Sequence, residues 1–226
     1  NLQLGDKSGF LDARKWDTTP QLTNSFQQDS YIRIKGAVET FNGAMQIKIV
    51  ELCPVDAAKV QKGEFIPCTD KDVPAMLAEL KAIIETIQDP YLLKLLQAFF
   101  NDEAFCKTFS AAPAAMQFHH AYLGGLLEHI LSVAKLAISF ASHYPNIKRD
   151  LLITGVIFHD IGKTRELSCE RSFQYTDEGL LTGHLISGVL MIQERAAKIN
   201  GFPQDLLNVL FHLVLSHHGE YEWGSP

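Results

Sequence analysis

The chain has 226 residues, 46% of them apolar and 20% charged, with a formal net charge of −6, enough for one large domain or a small one beside a medium one. The acidic balance excludes a protein that coats nucleic acid through a broad basic surface, but leaves room for a local groove. No apolar run reaches the roughly 18–20 residues of a membrane span, no basic-then-apolar leader is visible, and Cys53, Cys68, Cys106 and Cys169 form no C-x-x-C pair, so a soluble, cytoplasmic protein without a membrane partner is expected.

Residues 1–50 read as strands. Leu2–Leu4 and Phe10–Trp16 flank the turn sequence Asp6-Lys-Ser-Gly9, and Tyr31–Val38 and Met45–Val50 flank Asn42-Gly43, a strong hairpin turn. Short alternating strands joined by Gly-bearing turns predict a small β-barrel. Residues 54–74 carry Pro54, Gly63, Pro67 and Pro74 with little periodicity, which predicts a linker along the surface. From Pro74 the period becomes helical, with apolar residues recurring through 75–88, 91–100 and 103–109. A long helix is expected over His119–Ser142 and another over Arg149–Asp160, stopping at Gly162. A third should run from an N-cap at Thr182 to Ile199, and Pro203 should open a last one holding Asp205–Ser216. The expected class is α+β and multidomain, a small N-terminal barrel followed by an all-α bundle.

The sharpest feature is His159-Asp160, which ends the apolar run Leu151–Phe158. Burying such polar groups is costly unless they are hydrogen-bonded or bound to a metal. His129 lies 30 residues before His159, His184 lies 25 after it, and His217-His218 begin 33 beyond His184. Each interval is about one helix plus a turn, or a helical hairpin, so side chains from successive helices can converge. Imidazole and carboxylate suit divalent Zn, Mn, Fe, Co or Mg, and the lack of thiolates disfavours a structural zinc cage. A bound metal lowers the pKa of its water towards neutrality, and attack on phosphorus is then a natural chemistry. The number of histidines permits two ions.

The run His119-His-Ala-Tyr-Leu-Gly-Gly-Leu-Leu-Glu-His129, with Phe158-His-Asp-Ile-Gly-Lys163, Gly183-His184 and Ser216-His-His-Gly219, resembles the HD superfamily of metal-dependent phosphohydrolases. The resemblance implies that His129, His159 and Asp160 are core metal ligands, and that His184 with one or both of His217 and His218 completes a second site. It also implies that Lys163 contacts phosphate, which makes His159, Asp160 and Lys163 the catalytic candidates. Gly5–Gly9, Ala13–Asp17, Val38–Gln46 and Tyr175–His184 are similar to YhaM-type 3′→5′ exoribonucleases, which join an OB-fold to an HD domain. By that likeness residues 1–55 are an OB-like nucleic-acid-binding barrel, 56–74 a linker and 75–226 the HD domain. One or two divalent ions are expected, manganese ahead of magnesium, iron, cobalt and zinc. The family pattern has a barrel strand before Asn1 and an aspartate ligand beyond Pro226, so both ends are expected to be clipped.

Other residues are read more openly. Arg165 and His120 join Lys163 as candidates for the substrate phosphate. Spacing does not settle His217 against His218, because adjacent helical residues point about 100° apart; both can bind only if the helix ends there. In the barrel, Arg14, Trp16, Arg33, Lys35 and Phe41 are the candidate nucleic-acid contacts. Trp16, Phe41, Phe10 and Tyr31 offer rings for stacking, worth about 1–3 kcal/mol per base, and Arg33 and Lys35 share a strand face. Glu128, His143 and His212 read as structural or surface residues. The expected activity is removal of nucleotides from the 3′ end of single-stranded RNA, with single-stranded DNA as a further substrate and a homo-oligomer compatible with the sequence. Two rivals remain: a nucleotide or cyclic-dinucleotide phosphohydrolase with a regulatory barrel, and a non-catalytic RNA-binding adaptor with a vestigial cage.

Overall fold

Alternation in the first part of the chain becomes one four-stranded sheet. Strands β1 (Leu2–Asp6), β2 (Gly9–Arg14), β3 (Ile32–Phe41) and β4 (Ala44–Pro54) lie in the order β1-β2-β4-β3. The pairs β1–β2 and β3–β4 are antiparallel hairpins and β2–β4 is parallel. Asn42 and Gly43 both take positive φ (50° and 81°), the conformation a two-residue hairpin turn demands. A single turn α1 (Pro20–Thr23) lies between β2 and β3, and two 3₁₀ turns at 57–59 and 62–64 follow β4. The sheet's small core takes in Ala13, Tyr31 and Ile49, and Tyr31 meets the Phe65 ring edge-on at 5.0 Å.

The computed structural model describes residues 1–116, 120–169 and 173–220, and it divides the chain into two compact units, Asn1–Pro67 and Cys68–Pro226. The second unit is helical. Its helices α2 (Val73–Ile84), α3 (Pro90–Phe100) and α4 (Glu103–Ala111) each open on an aspartate cap. The carboxylates of Asp72, Asp89 and Asp102 accept from free N–H groups of the first turn, a substitution-sensitive arrangement worth about 1 kcal/mol each. Then follow α5 (Gly125–His143), α6 (Arg149–Phe158), the single turn α7 (Lys163–Glu166), a two-residue hairpin β5 (Leu167–Ser168) and β6 (Gln174–Tyr175), α8 (Asp177–Ala196) and α9 (Gln204–Ser216). The α+β arrangement expected from the change of period, a sheet and then a bundle, is the one found.

Aromatic rings fill the bundle's centre. Phe99 packs on Phe105 and Phe158, and Phe100 on Phe105 and Phe109, with centroids 5.1–5.6 Å apart. All but Phe105 of these rings are fully buried. Phe158 is the last residue of α6, so this cluster fixes where the next two residues, His159 and Asp160, leave the helix. Helix α5 is long and apolar enough to cross a membrane by length and composition. Its Leu126, Leu127, Ile130, Leu131 and Ala134 are instead buried in the bundle.

Two helix starts differ from expectation, and α6 and α8 stop at Phe158 and Ala196, short of the expected Asp160 and Ile199. Helix α5 begins at Gly125, because His120 (φ 58°) and Gly124 (φ 82°) take left-handed backbone that no helix can contain; His119 lies outside the described residues. Helix α8 begins at Asp177, capped by the Thr176 hydroxyl, and is interrupted at Gly183, where φ is 69° and ψ 169°. The start expected at Thr182 thus falls on an internal break.

Candidate metal centre

Asp160 is the hub. It is 3% exposed, in a bundle whose interior is otherwise almost wholly apolar. Its Oδ2 lies 3.3 Å from His159 Nε2, 3.7 Å from His129 Nε2 and 2.9 Å from Lys163 Nζ. Its Oδ1 lies 3.5 Å from both His184 Nε2 and His217 Nε2. One carboxylate therefore offers an oxygen to each of two histidine groups. His129, His159 and Asp160 present donor atoms within 4.8 Å of one another, as do His184, His217 and His218.

The outer ring nitrogens say which form these imidazoles take. His159 Nδ1 is 2.6 Å from the Val156 carbonyl and His217 Nδ1 is 2.7 Å from the Val214 carbonyl. A carbonyl only accepts, so Nδ1 carries a hydrogen, and in the neutral ring the inward Nε2 keeps its lone pair. His184 Nδ1 lies 3.0 Å from Glu166 Oε1, with the same consequence. Metal-ligating histidines are usually oriented in this way. His129 Nε2 stands 3.2 Å from His159 Nε2, a hydrogen bond in which His129 donates when the His159 Nε2 keeps its lone pair. Asp160 Oδ1 and His184 Nε2 are buried without a hydrogen-bond partner among the described residues. Buried acceptors facing one another are costly, and a divalent cation satisfies them all. The donor set fits a metal.

The electrostatics agree with a cage built to hold positive charge. Burial, partly offset by the Asp160 charge, lowers the His129 pKa to about 4, which leaves its imidazole neutral at pH 7. Burial also works against charge on His159, but hydrogen bonding to Asp160, the charge of Asp160 and the Val156 carbonyl outweigh it and raise its pKa. For Asp160, burial opposes ionisation, yet the surrounding histidines and Lys163 hold it well below the usual carboxylate range. Glu166 is likewise lowered: burial is outweighed by its hydrogen bonds and attraction to His184.

The other candidates sort themselves by position. Helix α9 ends at Ser216, with His217 as its cap, and this termination lets both His217 and His218 face the cage. Lys163 Nζ binds Asp160 and the Ala114 carbonyl at 2.7 Å. His120 sits beside the first group, its ring centroid 5.6 Å from that of His129 and its Nδ1 2.7 Å from the Tyr122 hydroxyl. The Tyr122 pKa is pushed up to about 12, by burial and then by Glu128. Arg165 is turned away to α8, where it pairs with Glu194 at 3.2 Å and Glu178 at 3.8 Å. Glu128 ties α5 to Thr69 at 2.6 Å and Lys71 at 2.9 Å, while His143 and His212 are exposed. Glu166 escaped the sequence reading, since a glutamate six residues past Asp160 in a charged turn carries no periodic signal.

In the sheet unit, Arg14 stacks its guanidinium 4.8 Å from the Phe41 ring centroid. Phe41, Trp16 and Phe10 are 46%, 69% and 79% exposed, whereas Tyr31 is a core residue. Arg33 and Lys35 share an exposed face of β3, with Lys35 3.6 Å from Glu51. Trp16 lies just beyond β2 and not within it.

Comparison with known proteins places this geometry. Over its whole length the chain is 35% identical to a "3′-5′ exoribonuclease YhaM" of Geobacillus sp. (strain WCH70), covering 69% of that protein. It is 34% identical to the protein of that name from Listeria monocytogenes serotype 4b (strain F2365), covering 72%. The corresponding Bacillus velezensis protein is 32% identical, with 71% covered. The chain belongs to the YhaM family of 3′-5′ exoribonucleases. The HD domain model matches residues 126–225, a span that includes every histidine of the two groups and Asp160. The YhaM-family resemblance of the sequence therefore holds, and the fold is an OB-like sheet followed by an HD bundle. HD-domain nucleases are metal-dependent, and the histidine–aspartate groups here can bind metal. No solved structure matches the chain.

Proposed function

We propose that this chain is a metal-dependent 3′→5′ exoribonuclease that shortens single-stranded RNA in the cytoplasm, with the Asp160 cluster as its hydrolytic centre. The observation that carries the reading is the buried Asp160 carboxylate, with one oxygen turned to each of two histidine groups. His129, His159 and Asp160 would hold one ion; His184, His217 and His218, with the other oxygen of Asp160, would hold a second. Manganese is the ion inferred from the family resemblance; the donor set itself, imidazoles around one carboxylate, equally admits iron, cobalt or zinc. The chemistry such an ion would supply is a water pKa lowered towards neutrality and an offset to charge growing on the phosphate oxygens.

The chain's own residues do the rest. Lys163 has given two of its three N–H groups to Asp160 and Ala114, which leaves one for a phosphate oxygen. Tyr122 holds Nδ1 of His120 and leaves its Nε2 for substrate. Arg165, engaged by two glutamates, has no part in this reading. In the sheet unit, Trp16 and Phe41 are exposed to stack on bases. Arg14, Arg33 and Lys35 would neutralise phosphates in a salt-dependent way. Single-stranded DNA would fit the same surface.

The test is direct. Purified chain with Mn²⁺ should shorten a 5′-labelled single-stranded RNA one nucleotide at a time, and both His159→Ala and Asp160→Ala should abolish the ladder. Wild-type rates in those two variants, or turnover confined to free nucleotides, would sink the reading.

A further inference from the structure

We propose that Glu166 is the positioning residue for His184: its Oε1 fixes which ring nitrogen of His184 carries the hydrogen, and so decides whether the His184–His217–His218 group can hold a divalent cation. The inference rests on the metal-centre reading above.

Among the described residues, His159, His184 and His217 each show an anchored Nδ1, but the anchors are of two kinds. His159 and His217 each use the carbonyl three residues earlier, Val156 and Val214, so their own helices orient them. His184 cannot borrow that device. It opens the second half of α8, directly after the break at Gly183, where the preceding carbonyls no longer follow the helix. Its backbone N–H is orphaned by the same break.

Glu166 answers both needs with one oxygen, which accepts from His184 N at 3.1 Å and from His184 Nδ1 at 3.0 Å. The local geometry is built for this contact. Gly183 occupies backbone open essentially to glycine alone. A β-carbon there would stand at an ordinary 3.9 Å from Glu166 Oε1, so conformation and not space demands glycine. A β-carbon at Gly162 would overlap the His184 carbonyl, and one at Gly179 would overlap the Glu166 carbonyl. These two bare positions let α7 press against both halves of α8. The result is a buried His184 Nε2 with a free lone pair, 3.5 Å from Asp160 Oδ1.

Outer partners of ligating histidines typically contribute 10–100-fold to metal affinity, and Glu166→Ala tests this one. It removes the oxygen that accepts from His184 N and Nδ1, so nothing then holds the hydrogen on Nδ1. Long-range ¹⁵N–¹H NMR on the metal-free full chain should find Nδ1–H on His159, His184 and His217. In the variant, His184 alone should change, and Mn²⁺ affinity measured by calorimetry should fall 10–100-fold. The proposal is overturned if wild-type His184 carries its hydrogen on Nε2, a result that needs no variant to fold. Unchanged tautomer and affinity in the variant would also overturn it, as would a simultaneous change at all three histidines. If the wild type binds no Mn²⁺ while the His184 tautomer still follows residue 166, the metal reading fails and the positioning role stands.

Discussion

Asp160→Asn removes the charge that His129, His159, Lys163, His184 and His217 all face. The Lys163 Nζ to Asp160 Oδ2 contact is 2.9 Å, which at an effective dielectric near 20 is an attraction of about 6 kcal/mol before desolvation is counted. Removing one partner of such a buried pair costs about 3–5 kcal/mol. Asparagine keeps an oxygen for Lys163, so the lower end, about 3 kcal/mol, is expected. For a protein of this size each kcal/mol moves the melting point about 2–4 °C, so the metal-free variant should melt about 6–12 °C below wild type. Ion at 100 times its Kd should stabilise the wild type by about 2.7 kcal/mol. The variant should gain little, because the shared carboxylate is gone. Thermal unfolding followed by the helical circular-dichroism signal, with and without Mn²⁺, reads both effects. A variant that melts with wild type when metal-free, or gains the same increment from Mn²⁺, refutes the account of Asp160 as hub.

Phe158→Ala should destabilise the bundle by about 3–5 kcal/mol, because its fully buried ring packs on Phe99 at 5.1 Å; denaturant titration would expose the error if the midpoint does not move. Phe41→Ala should weaken RNA binding by about 1–3 kcal/mol while leaving hydrolysis of a dinucleotide unchanged, a split that binding and kinetic assays on the two substrates resolve. For Glu128, burial works against ionisation but is outweighed by hydrogen bonds from Thr69, Lys71 and Tyr122, so its pKa lies below the ordinary 4.5. Its contribution to stability is therefore present above that ordinary value and lost as pH falls through the lower, folded one. Glu128→Gln should flatten this acid limb, and superimposable melting-point-against-pH curves would contradict it.

The apolar run ahead of His159 and the repeated intervals to the other histidines made the histidine–aspartate cluster legible in the sequence, because a helical bundle converts regular spacing into convergence. Strand alternation and Asn42-Gly43 did the same for the sheet. Backbone breaks were harder to read. Gly183 sits inside a helical pattern whose two halves are both genuine, so periodicity runs through it undisturbed. The start of α5 was misplaced because residues 119–124 are apolar enough to extend the helix, and the left-handed turn at His120 is imposed by packing: a β-carbon at Gly125 would collide with the His120 carbonyl. Glu166 was invisible since its partner, His184, is 18 residues away and only the break brings them together. The competition for Arg165 by two carboxylates of α8 is likewise a tertiary fact.

The two kinds of histidine anchor also bear on the order in which the centre assembles. The Val156–His159 and Val214–His217 contacts close within a single helical turn, so they can form on the sub-microsecond to microsecond timescale of isolated helices. The Glu166–His184 contact spans a hairpin and a broken helix, and forms only once α7 has docked on α8. An incompletely folded bundle would thus own two correctly aimed imidazoles and lack the third. Occupancy of the second histidine group would then report that the last piece of the bundle has docked, which makes the ion a check on folding as well as a reagent.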